Sequence, residues 1–241
     1  MLIYRTLNSE FDIMNIIQTA PALAEQVYQA ILDEICSGRL EPGTHLKQEQ
    51  LAERLGVSRQ PVQQAMALLK ADGLVEEVGK RGLRVSSLDI ATMHHHYEIR
   101  ALLDGLAARS TSQRIAADEE ARRSFDKQAR AILAAGRAAV DRGDVPDLVR
   151  QDEAFHRLFY EASGNPLLAQ TAEPHWRFLR RVMGDVLRHA EPPHHIWDQH
   201  AAIVEAALSG DAEAAERLMT GHASRAAALL ADNMRDKAGQ S

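Results

Sequence analysis

The chain has 241 residues, 45% of them hydrophobic and 26% charged, with a formal net charge of −6. That length supports two domains with buried cores, and no apolar run approaches the roughly 20 residues that span a bilayer. The opening MLIYRTLNSEFDI lacks the basic flank and long apolar core of a secretory signal, and the lone Cys36 excludes an intramolecular disulfide, so a cytoplasmic location is expected.

Residues 1–21 read as an N-terminal tail. Met14 offers a second start, and residues 1–13 are assigned no fold. Residues 22–86 form the first domain. Leu23, Val27, Ile31 and Ile35 recur at four-residue intervals, which predicts a helix from Ala22 to Ser37. A Pro-Gly turn within Gly38–Leu46 leads to a second helix with the apolar stripe Leu51, Ala52 and Leu55. Gly56 breaks that helix, and Ser58 is placed to cap the next one. Pro61 sits in the first turn of this third helix, where its missing N–H costs little. Val62, Ala65, Met66 and Leu69 mark its inner side; Arg59, Gln60, Gln63 and Gln64 mark the outer one. After Gly73 the pattern becomes Leu74–Val78, a turn Gly79-Lys80-Arg81-Gly82, and Leu83–Val85, a hairpin with a basic tip. A helix, turn, helix and basic hairpin in that order make a winged helix-turn-helix, which reads duplex DNA. The expected DNA contacts are Ser58, Arg59, Gln60, Gln63, Gln64, Lys80 and Arg81. Glu49, Glu53, Glu76 and Glu77 lie within the same unit, so binding rests on local cations and falls steeply with salt.

Residues 87–236 form a second, alanine-rich domain, and residues 237–241 a C-terminal tail. Helical periodicity predicts about six helices, near 89–112, 117–142, 145–163, 167–189, 192–209 and 211–235. Breaks fall at Gly143, Gly164-Asn165-Pro166, Pro192-Pro193 and Gly210-Asp211. The expected fold class is mainly α: an N-terminal winged helix-turn-helix followed by an antiparallel all-helical bundle.

In that bundle Asp152 and His156 lie four apart, on one helix face, with His200 and His222 on later helices. Three imidazoles and one carboxylate suit a divalent ion: zinc first, with nickel or manganese also compatible. Against this, a chain with 11 histidines yields such pairs by accident as well. His94, His95 and His96 point in different directions around a helix and read as surface. His45, His175, His189, His194 and His195 have no comparable helical partner. Arg100 lies on a helix whose Ile99, Leu102, Leu103 and Leu106 are expected to pack inward. It either pairs with Asp104 one turn on or anchors a ligand carboxylate beside the metal. Arg177 and Arg180 either face the site or are solvated.

The runs PGTHL, LAERLGVSRQPVQQAM, ADGLVEE and GKRGLRV resemble the winged reader of the GntR family of bacterial transcription regulators. IRALLDGLAAR, DEAFHRLFYEASGNPLL, HAAIVEAALSGDAEAA and His222 resemble the FCD ligand domain of its FadR-type branch. The resemblance implies a homodimer on a pseudo-palindromic operator, a metal held by Asp152, His156, His200 and His222, and a small carboxylate effector that completes its coordination. Two departures stand out. Gln63 replaces an arginine usual in the recognition helix, and glutamine favours adenine edges where arginine favours guanine. Asp104 stands where a glutamate is usual.

The leading expectation is therefore a sequence-specific regulator, not an enzyme, controlled by a carboxylate at a metal site. Two alternatives stand beside it: a metal sensor without an organic effector, and a metalloenzyme fused to a DNA-binding module. The second lacks a placed general base and the paired Glu-x-x-His pattern of di-iron bundles.

Overall fold

The computed structural model describes residues 21–79, 82–187 and 194–239. Lys80 and Arg81 at the wing tip, His189 and the Pro192-Pro193 break lie outside them. The first unit comprises α1 (Pro21–Cys36), α2 (Gln48–Leu55), α3 (Arg59–Ala71), β1 (Val75–Val78) and β2 (Gly82–Val85). Its core joins Val27, Tyr28, Ile31, Leu32 and Ile35 of α1 to Leu51 and Ala52 of α2, and to Val62, Ala65, Met66 and Leu69 of α3. Leu23 and Leu55, expected on the apolar stripes, are exposed, because each lies at the end of its helix beyond the core.

Gly56 adopts φ 66°, the left-handed cap that ends α2, and its N–H bonds back to Ala52 and Glu53. Ser58 has the extended backbone of an N-cap, yet its side chain makes no capping hydrogen bond. The wing pairs Val75 with Val85 and Val78 with Gly82. A third short edge was not foreseen: Leu46 N–H donates to Leu83 O at 2.8 Å and Val85 N–H to Thr44 O at 3.0 Å, so the PGTHL segment braces the wing.

The second unit comprises α4 (Ile90–Ala117), α5 (Glu119–Arg142), α6 (Val145–Ala162), α7 (Pro166–Leu187), α8 (His194–Leu208) and α9 (Ala212–Gly239). Asp89, Asp118 and Asp144 cap α4, α5 and α6 through their side chains. α4 runs five residues past the expected 112, carried by the buried Ile115. Gly105 lets α9 approach α4 closely, since a Cβ there would stand 2.6 Å from Thr220 Oγ1.

The expected inner face of α4 is overturned. Ile99, Leu102 and Leu106 are 46%, 73% and 47% exposed, and only Leu103 packs against the core. The buried side carries Met93, Tyr97, Arg100, Ala101, Asp104, Ala107, Ala108 and Thr111. A charged pair that neutralises itself can occupy the interior, and it turns the leucines outward.

His96 also departs from the surface expectation. It is half-buried on α4, stacks on Phe178 and brings its Nδ1 within 3.0 Å of His175 Nδ1 on α7, so one ring donates and the other accepts. Burial, then the neighbouring His175 and His95, pushes His96 down from 6.5 to about 4. The unfolded chain thus binds the proton first, and stability is expected to fall as pH drops from 6.5 toward 4. Urea melts across that range should show a slope that His96→Asn flattens.

Trp197 of α8 lies against α5 beside Ala139, Val140 and Leu148. Gly136 makes room for it: a Cβ there would fall 2.0 Å from the indole ring. Gly136→Ala is expected to cost about 1–3 kcal/mol through overpacking, read as a lowered urea midpoint with altered tryptophan emission.

Candidate metal centre

α6 carries Asp152 and His156 one turn apart, α8 carries His200 and α9 His222. One candidate ligand atom from each can be chosen so that all four lie within 4.8 Å of one another. The three imidazoles are buried, and the Asp152 carboxylate is 14% exposed. His200 Nε2 stands 3.1 Å from His222 Nε2 and 3.4 Å from Asp152 Oδ1. Phe155 stacks on the His200 ring at 3.9 Å and Trp197 meets it edge-on at 4.8 Å, so packing holds the ring's orientation.

The outer nitrogens explain why the inner ones face each other. Gln199 Oε1, held by the Arg225 guanidinium, lies 3.1 Å from His222 Nδ1 and accepts its proton, leaving the Nε2 lone pair turned inward. His156 Nδ1 lies 3.1 Å from Asp104 Oδ2, a carboxylate placed to orient that ring. His200 Nδ1 has no hydrogen-bond partner among the described residues. Burial first, then the neighbouring positive groups, pushes His200 and His222 well below the usual imidazole range. Neutral imidazoles are the form that ligates metals. Converging Nε2 atoms beside a carboxylate therefore fit a divalent ion.

Arg100 competes for the same space and makes the expected pair with Asp104. Its Nε donates to Asp104 Oδ2 at 3.1 Å, its Nη2 lies 2.6 Å from His156 Nε2 and 3.8 Å from Asp152 Oδ2, and its Cζ sits 4.1 Å over the Trp176 ring. Its Nη1 has no partner among the described residues. Full ligation by His156 requires Nη2 to release that imidazole. Burial opposes the Asp104 charge, but His156 and Arg100 outweigh it and hold the carboxyl at about 2. The Tyr160 hydroxyl donates to the same carboxylate and receives the Trp176 indole N–H at 3.2 Å. Tyr160, Trp176 and Gln199 carried no sequence signal, because their partners are 16 to 56 residues away.

Arg177 and Arg180 face the first unit and the α6–α7 seam instead. Arg177 Nη1 donates to Asp72 Oδ2 at 3.2 Å, and Tyr28 donates to the same oxygen at 2.7 Å. Asp72 is the C-cap of α3. Arg177 and Arg180 share Glu173, and Arg180 reaches Glu153, the neighbour of Asp152, at 3.3 Å. Ion pairs thus run from the end of α3 to the α6 turn that carries Asp152. Arg181 donates to the Ser86 carbonyl in the linker.

On the first unit, Ser58, Arg59, Gln60, Gln63 and Gln64 are all exposed, with Gln63 and Gln64 on the side of α3 opposite Val62, Ala65 and Met66. Arg59 pairs with Glu49 at 2.9 Å, but both are 71% exposed, so the pair holds the guanidinium weakly.

Residues 23–85 match the family described as bacterial regulatory proteins, gntR family, and residues 95–225 match the FCD domain. The chain is 29% identical to the HTH-type transcriptional repressor RspR of Escherichia coli, over 82% of this chain and 84% of that protein. It is 30% identical to a probable D-xylose utilization operon transcriptional repressor of Paenarthrobacter nicotinovorans, over 85% and 87% respectively. Among solved structures, E. coli McbR/YncC shares the fold at a TM-score of 0.74 and 19% identity, over 88% of this chain and 98% of that one.

Proposed function

Since this chain belongs to the GntR family of bacterial regulatory proteins and carries an FCD domain, we propose that it is a homodimeric regulator whose operator binding responds to a small carboxylate held at a divalent metal. It is a transcription regulator, as its relatives are, and not an enzyme. The reader spans 22–86, the effector domain 87–236, and the chain works in the cytoplasm. No helix among the described residues is long and apolar enough to cross a membrane. The observation that carries the effector site is the buried convergence of Asp152, His156, His200 and His222 beside Arg100 Nη1. These four residues hold the ion, with zinc the first candidate; Arg100 takes the effector carboxylate. The metal supplies a fixed positive charge for that carboxylate. The exposed stripe Ile99, Leu102 and Leu106 supports a second copy packing along α4.

Control follows from the ion-pair route. A ligand that moves Arg100 and Asp152 pulls on Glu153, Arg180 and Arg177, and through Asp72 on the recognition helix. It releases DNA only as far as it prefers the DNA-incompetent arrangement. Ser58, Arg59, Gln60, Gln63 and Gln64, with Lys80 and Arg81, contact the operator. The name of the Paenarthrobacter relative supports a second reading, in which the effector is sugar-derived.

Footprinting on the DNA upstream of its own gene, with zinc-loaded chain and with and without carboxylates, tests the reading. Protection that candidate acids alter is expected; absence of any protected sequence at low salt would overturn it. In the same assay Gln63→Ala should weaken binding about tenfold, within the roughly 1–3 kcal/mol of one base contact, with an unchanged urea midpoint.

A further inference from the structure

A cleft opens beside the Asp152 and His222 end of the candidate centre and encloses about 520 Å³ free of protein atoms, its open mouth included. Its polar lining is lopsided. Tyr97 OH, Arg100 Nη1 and Trp197 Nε1 belong to lining residues that are at most 2% exposed, and none of the three atoms has a hydrogen-bond partner among the described residues. All three can donate. The described lining offers one carboxylate, Asp152, and that one is committed to the cluster. Arg100 is the single Lys or Arg among the described lining residues. Apart from His222, the rest of the described lining is apolar, including Leu148, Val149, Met183, Leu187, Leu229 and Leu230.

From these unmet donors and the apolar wall we infer that the effector is a monocarboxylic acid with a compact apolar body. The inference rests on the carboxylate reading above and narrows it. A carboxylate only accepts hydrogen bonds, so it satisfies the orphan donors of Arg100 and Tyr97. A sugar acid also brings several hydroxyl donors, and against this wall they lose water and gain no acceptor. With the metal and Arg100 both at the head of the cleft, a dicarboxylate that extends along it sets its second charge against the apolar wall. The sugar-derived reading therefore conflicts with the wall of this chain's own cleft.

The test is calorimetric titration of the full chain, with zinc and with chelator, against acetate, butanoate, hexanoate, gluconate, succinate and hexanamide. From acetate to hexanoate, affinity should rise about threefold to fourfold per methylene. Gluconate and succinate should bind at least ~10-fold more weakly than hexanoate, and hexanamide should not bind measurably. Leu229→Asn, at a partly exposed lining position, should weaken hexanoate several-fold and leave acetate unchanged. A flat chain-length series, or tightest binding by gluconate or succinate, overturns this inference while leaving a carboxylate effector at the centre standing. If no acid binds with or without zinc, the inference and the carboxylate reading fall together.

Discussion

Replacing Asp152 by asparagine is expected to lower zinc affinity by at least ~100-fold, beyond the roughly 10–100-fold lost when only an outer partner of a ligand is removed. The carboxylate brings the only negative charge among the four candidate ligands, and its Oδ1 lies 3.4 Å from His200 Nε2. Asparagine keeps the shape and offers a neutral oxygen, so the charge is lost with little disturbance of packing. His200→Ala should abolish binding as well, but it also empties the space between Phe155 and Trp197 and so lowers stability. Elemental analysis after dialysis, paired with urea melts in chelator, separates the two effects. Asp152→Asn should lose the ion with a near-normal melt. Undiminished zinc in both variants would remove the metal centre.

Arg100→Met is expected to destabilise the chain by about 3–5 kcal/mol at neutral pH, because it leaves the buried Asp104 carboxylate without its nearest permanent cation. Asp104 is fully buried and held at about 2 by His156 and Arg100. In the native chain this carboxylate contributes stability above its ordinary 3.8, lost as pH falls toward 2. Without Arg100 its ionised form is penalised, so the deficit should shrink in acid, where the carboxyl protonates. Arg100→Met with Asp104→Leu should recover much of the loss, since removing both charges leaves neither uncompensated. Urea midpoints of the three chains at pH 7 and in acid measure this. An Arg100→Met chain as stable as the native one would mean that the pair is dispensable. The single variant should also lose the response to carboxylates while the double variant stays folded without regaining it.

The reader was legible because its signals are local. Gly56 at positive φ, Pro61 in the first turn of α3 and Gly79 at positive φ after β1 act within a few residues. The helices of the bundle were legible for the same reason, through their periodicity and the breaks at Gly143, Gly164-Asn165-Pro166 and Gly210-Asp211. The inner face of α4 was not. Counting leucines pointed the wrong way, because Arg100 and Asp104 become interior residues only through partners on α6. His96 and His175 escaped notice likewise, as 79 residues separate the pair.

The sequence by itself determined the order of elements and the Asp152–His156 pair, since periodicity and helical spacing are properties of short stretches, while its resemblance to the GntR family and the FCD domain added His200 and His222. Only the tertiary structure decided which way α4 faces, which nitrogens turn inward at the cluster, and that Arg177 ties α7 to the cap of α3. Those outcomes depend on balancing the desolvation of a charge against a partner brought from a distant helix. Until the helices pack, neither side of that balance exists.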